Sequence, residues 1–124
     1  MPCHAKPTVH HFSDLQPLKH GFSMQDLLGH ADDEHPATCG IFTLDQGHPV
    51  SFDKIPYHCF GTILEGELIV EDLDDPEEKT RVKAGDIVHV PRGSSVRWST
   101  ATSCKGTYVH LKPFGDDSFH KGVY

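Results

Sequence analysis

The chain has 124 residues, 36% of them hydrophobic, and sets 18 acidic against 11 basic side chains for a formal net charge of −7. That length supports one domain with a real core and is too short for two. Its few lysines and arginines are dispersed, which excludes a nucleic-acid surface, and it lacks any run of about 18 apolar residues, which excludes a membrane-spanning helix.

The first segment, MPCHAKPTVHHF, has no apolar stretch of the kind that builds a secretory leader. Ser23 to Asp26 forms a capping-box pattern ahead of Leu27 and Leu28, with Gly29 as a stop, and predicts a short helix over 23–29. HADDEHPA, residues 30–37, reads as a polar loop. Residues 1–36 thus read as an N-terminal arm, 37–114 as a β domain and 115–124 as a tail. From Thr38 the grain changes to strands, first CGIFTL and then VSFDKI. Residues 55–72, IPYHCFGTILEGELIVED, read as two apolar strands hinged at Glu65-Gly66-Glu67. The acid-rich DLDDPEEKTR, residues 72–81, reads as a solvated loop or hairpin tip. GDIVHVPRGSSVRWST, residues 85–100, reads as a strand entering a turn at Pro91 and Gly93 and a second strand leaving it, with Val96 and Trp98 alternating against Arg97 and Ser99. Gly106 to Lys112 forms the last strand. Many short strands separated by turn signals make an all-β sandwich or barrel. The four cysteines, Cys3, Cys39, Cys59 and Cys104, are scattered without a Cys-x-x-Cys pair, so they read as reduced thiols in a cytoplasmic protein.

Three segments carry a family resemblance: Tyr57-His58-Cys59, the phrase TILEGEL at 62–68, and Gly85 to Trp98 with its Pro91-x-Gly93 spacing. Over roughly residues 38–114 the chain resembles the cupin superfamily, closest to its EutQ-like ethanolamine-utilisation branch. The resemblance implies an RmlC-like jelly roll, a double-stranded β-helix barrel, here with a short N-terminal helix, and it implies a homodimer. It also locates where cupins hold a metal. Those positions fall at Asp53 to Ile55, at Cys59 and at Val96, where the usual histidines and carboxylate are missing. No standard metal site is therefore expected and no cofactor is assigned, leaving only a rebuilt, non-standard metal site as a variant reading. The branch's acidic pair is replaced by His58-Cys59, so activity that depends on those carboxylates does not carry over.

Strand alternation sorts the remaining candidates. Cys59 shares a phase with Tyr57, Gly61 and Ile63 and is expected to point into the barrel, as a small buried hydrophobe or a ligand contact. His58 should face outward unless Pro56 introduces a bulge that reverses the phase. Tyr108 and His110 share one face, and if that face is inward they line a pocket where an imidazole can move protons. Val96 and Trp98 share another inward phase, on which Trp98 either plugs the barrel or walls a ligand. Phe60 and Phe42 are candidate lining residues, and Lys54 is a candidate anchor for a carboxylate or enolate. His89 divides evenly between ligand and interface.

These residues give two functional readings. In the first the protein is an enzyme acting on a hydrophobic oxygenated small molecule by acid-base chemistry, of lyase, dehydratase, isomerase or decarboxylase type, with His58, His110, Tyr57 and Tyr108 as proton donors and acceptors. Cys59, Trp98, Lys54, Phe60 and Val96 then contact the substrate. In the second it is a non-catalytic cupin that only binds a small ligand.

Overall fold

The computed structural model describes residues 3–32 and 34–124. Met1, Pro2 and, within the expected loop at 30–37, Asp33 lie outside the described residues. A short helix α1 (Thr8–Ser13) leads into β1 (Pro17–Lys19) and β2 (Phe22–His30), and the chain continues through β3 (Ala37–Asp45), β4 (Val50–Phe52), β5 (Cys59–Asp72), β6 (Asp75–Lys83), β7 (Ile87–Val90), β8 (Val96–Ser99) and β9 (Ser103–His110) to a last helix α2 (Ser118–Lys121).

All pairings are antiparallel, and β5 belongs to two sheets at once. Its first half lies between β9 and β7 in a sheet ordered β1-β2-β3-β9-β5-β7, and its second half lies between β8 and β6 in a sheet ordered β4-β8-β5-β6. The two sheets face one another across one core. The strand crosses between them at Gly66, with φ +78° and a register shift just before it. A Cβ there would meet the backbone carbonyl of Ser103, so only glycine permits the crossing.

Five sequence expectations are corrected. The helix at 23–29 is strand β2, because Phe22 and Met24 alternate inward against β3 and a bulge between Asp26 and Leu28 hides the period from there on. The segment 1–36 is therefore more than an arm, since β1 and β2 extend the first sheet, and the helix that precedes them is α1. Residues 55–72 contain one strand bent at Gly66 and not two strands about a turn. Most of 72–81 is strand β6, in which Asp75, Glu77, Lys79 and Arg81 face solvent while Val82 beyond them is buried. The strands β7 and β8 on either side of Pro91 do not pair with each other but with opposite halves of β5.

Phe22, Phe42 and Phe52 surround Trp98, with ring centroids 5.9, 5.7 and 4.8 Å away. With Leu44, Val50, Ile63 and Leu68 they fill the space between the sheets. The tail closes one end. Phe119 and Val123 are buried in the same cluster, and Tyr124 exchanges two backbone hydrogen bonds with Ser51, the middle residue of edge strand β4.

Candidate functional site

Strand β9 alternates strictly, so Cys104, Gly106, Tyr108 and His110 face inward while Val109 faces out. His110 is only 2% exposed. Its ring stacks on Tyr108 at 4.3 Å and lies 5.3 Å from Tyr57 and 4.6 Å from Phe119. Burial, followed by the nearby Lys112 charge, pushes its pKa down to about 3, so the imidazole is neutral across the physiological range. Its Nδ1 has no hydrogen-bond partner, and neither does Nε1 of Trp98. Tyr57 Oη has the Ser118 side chain nearby but makes no hydrogen bond of proper geometry with it. A buried polar atom left unpaired costs on the order of 1–3 kcal/mol. Three of them in one aromatic cluster is a concentration that a folded core does not ordinarily carry.

Cys59 lies opposite His110 in the β5–β9 register, and burial pushes its thiol up to about 12. It is a protonated, inert thiol, weakly hydrogen-bonded to the carbonyl of Tyr57 at 3.8 Å. Burial likewise raises the Tyr57 and Tyr108 phenols, so both are neutral.

Tyr108 is held by residues that the sequence reading missed. Its hydroxyl donates to Asp26 at 2.6 Å, and Lys112 Nζ, 1% exposed, donates to the other carboxylate oxygen at 2.9 Å and to the carbonyl of Asp116. Burial raises the Asp26 pKa, but the hydrogen bonds from Tyr108 and Lys112 and the lysine's charge outweigh it and leave the carboxyl below its usual range. Lys112 carries a signal visible in the sequence, being two residues beyond His110 on the same inward phase. Asp26 carried none once its segment read as a helix.

Cys59, Leu68, Val88, Val90, Trp98, Tyr108 and His110 enclose a cavity of about 20 Å³ that Phe42 also lines. That is room for about one water. Val88 and Val90 separate it from an open cleft of about 540 Å³ between the free edges of β6 and β7, floored by Val70, Val82 and Val96 and rimmed by Asp72, Thr80, Arg81, Asp86 and Ser94.

The structure thus brings together Tyr57, Cys59, Val96, Trp98, Tyr108 and His110 inside the barrel and leaves three predicted residues out. His58 faces outward, since Pro56 does not reverse the strand phase. There its Nδ1 lies 3.1 Å from His89 Nε2 and accepts from the Arg92 amide at 3.2 Å, so it does not join His110. Phe60 is on the same outer face, stacked on His89 at 4.5 Å, although one edge of it touches the 20 Å³ cavity. Lys54 sits exposed in a turn at φ +47°, away from the chamber. Of the positions where cupins hold a metal, Asp53 is exposed and accepts a hydrogen bond from Ser95, and Ile55 and Val96 offer no donor atom. Cys59 alone does not fit a metal centre, and among the described residues no three His, Cys, Asp or Glu side chains are grouped to hold one.

A profile of the EutQ-like cupin domain matches residues 33–108. The EutQ (ethanolamine utilization protein Q) structure from Salmonella typhimurium LT2 is 30% identical over 73% of this chain and 68% of that one, with a TM-score of 0.59. EutQ from Clostridium difficile shares 16% identity over 75% of this chain and 64% of its own, TM-score 0.63. The ectoine synthase of P. lautus shares 14% identity over 86% and 76%, TM-score 0.70, a likeness of fold alone. No curated protein sequence matches the chain.

Proposed function

This chain belongs to the EutQ-like cupin family, and on that premise we propose that it binds a small oxygen-bearing molecule with an apolar body inside its barrel, against His110, Tyr57 and Trp98. The observation that carries the reading is the set of unpaired buried polar atoms on those three side chains. A ligand oxygen supplies the missing partner, and Phe42, Leu68, Val88 and Val90 supply the apolar wall. The one buried cation of the chamber, Lys112, is already neutralised by Asp26, so a neutral or weakly acidic ligand is favoured over a strong polyanion. EutQ proteins are named for ethanolamine utilization, but the His58-Cys59 substitution of the branch's acidic pair and the aromatic chamber favour a different ligand here.

The unpaired Nδ1 of neutral His110, packed between the rings of Tyr108 and Tyr57, supports a second reading, in which the bound molecule is also turned over by proton transfer, as in a lyase or isomerase. Both readings are tested by titrating a panel of small phenols and aromatic ketones while following Trp98 emission. Binding should weaken at least about tenfold in His110→Ala and in Tyr57→Phe, the worth of one or two hydrogen bonds. Turnover at saturating ligand lost by about a hundredfold in His110→Ala, beyond the loss of affinity, assigns the enzyme. Equal binding by wild type and both variants sinks the chamber as the ligand site.

A further inference from the structure

The 20 Å³ cavity is too small for any ligand beyond a water, yet the unpaired polar atoms beside it call for one. We propose that the C-terminal segment 113–124 is a displaceable plug, and that the Phe119 ring holds the place of the apolar ring of a compact aromatic or similarly sized carbonyl compound that the barrel takes up. The inference rests on the reading of the His110 chamber as the ligand site and adds how the ligand gets in and what class it belongs to.

Phe119 is 4% exposed and reaches into the chamber itself. It stacks on Phe52 at 4.7 Å and lies 4.6 Å from His110 and 6.2 Å from Tyr57, so two of the three side chains with unpaired atoms have Phe119 as a neighbour. An aromatic hydrocarbon against Nδ1 and Oη satisfies neither. A ring of the same size carrying an oxygen acceptor would.

The anchoring of the segment suits removal. Among the described residues its backbone is joined to the barrel at three points, by the Phe114 amide to the His30 carbonyl at 3.1 Å, by the Asp116 carbonyl, which accepts from Lys112 Nζ, and by the paired Ser51 and Tyr124. The remaining backbone bonds of the segment are local, Asp116 to Pro113, Lys121 to Asp117 and Gly122 to Phe119, so the stretch that carries Phe119 has no backbone bond to the barrel between Asp116 and Tyr124. The helix α2 is one turn long, too short to hold itself together. Gly115, at φ +100° with open space around its Cα, gives the segment a point to swing from. An apolar cavity of about 150 Å³ already takes up benzene, so withdrawal of one phenyl ring opens room for a single-ring ligand.

The exposed chemistry fixes the ligand class. Trp98 Nε1 only donates, Tyr57 Oη donates or accepts, and neutral His110 offers one donor and one acceptor nitrogen. Donors predominate, and a carbonyl oxygen on a small apolar frame complements them.

The test uses acetophenone, with cumene as a near-isosteric hydrocarbon lacking the oxygen. Ser51 and Tyr124 exchange both backbone hydrogen bonds, a pair whose Cα atoms stand about 5.5 Å apart, within disulfide reach. In a Cys3→Ser background, Ser51→Cys with Tyr124→Cys should lock the plug: the oxidised protein is expected to bind acetophenone at least about tenfold more weakly than the reduced one, and Phe119→Ala, or the milder Phe119→Leu, at least about tenfold more tightly than wild type. Cumene should bind Phe119→Ala more weakly than acetophenone does. Equal binding by oxidised and reduced forms, or no gain on shortening Phe119, overturns the plug while leaving the chamber intact. A gain in Phe119→Ala that survives His110→Ala and Tyr57→Phe, or that cumene shares in full, overturns the chamber and the ligand class instead.

Discussion

His110 concentrates the physical tension of this molecule in one side chain. A neutral imidazole 2% exposed, flanked by rings and with one nitrogen unpaired, has lost the solvation that would let it carry a proton, and Lys112 opposes the charge further. Its folded pKa of about 3 lies below the ordinary 6.5. Between those values the unfolded chain binds a proton that the native chain refuses, so stability falls as pH drops through that window and is independent of this group above it. The expected slope approaches roughly 1.4 kcal/mol per pH unit below pH 6.5. Asp26 and Asp116, both held below their usual 3.8, add acid sensitivity only at lower pH, so between about pH 6 and pH 4.5 the slope comes from the lowered histidines, His110 and the exposed His20, and the His110→Phe variant separates the two. Urea unfolding across that interval should show the slope in wild type and a flatter profile in His110→Phe. Titration of the His110 ring itself near pH 6.5 in the native protein, followed by NMR against His110→Phe, would contradict this assignment.

At the scale of elements, legibility followed the period of the side chains. β8 is readable with its phase because Val96 and Trp98 alternate with Arg97 and Ser99, whereas β9 is readable only as a strand: Val109 and His110 are equally plausible inward residues in the sequence, and it is the structure that turns Tyr108 and His110 in. In β2 a bulge breaks the alternation after Asp26, and the Ser23–Asp26 capping pattern outweighs the short alternating stretch before it. Asp26, the anchor of Tyr108, was lost with that segment. β5 hid for the opposite reason, since the Gly66 that reads as a turn is a bend inside a continuous strand, and local sequence cannot tell the two apart when both need positive φ. The bend is testable. Alanine at Gly66 must adopt φ near +78° and push the Ser103 carbonyl aside, which should cost about 2 kcal/mol or more and lower the melting temperature by roughly 10 °C. The neighbouring Glu65→Ala should cost little, because Glu65 is exposed and its ion pair with Lys105 is open to solvent. Similar losses in both variants would mean that the crossing does not depend on the glycine.

For the whole molecule the decisive fact is that one strand belongs to both sheets. The half of β5 that pairs with β9 and β7 cannot be peeled away while the half that pairs with β8 and β6 stays in place without tearing the chain at Gly66. The core is likewise undivided: Trp98 on β8 touches Phe22 on β2 and Phe42 on β3, so side chains from both sheets share one cluster. Such a molecule should unfold as a single unit. Three probes report on different parts of it. Trp98 emission follows the second sheet, far-UV circular dichroism follows all strands, and the thiols of Cys59 and Cys104, with pKa values raised by burial to about 12 and about 11, follow the first sheet through their labelling at pH 8. In a Cys3→Ser, Cys39→Ser background the three are expected to give one midpoint in denaturant, with Trp98 emission blue-shifted until that midpoint and thiol labelling negligible before it. Labelling of Cys59 and Cys104 well below the midpoint, while Trp98 stays buried, would show that the first sheet opens by itself and that β5 is no common spine.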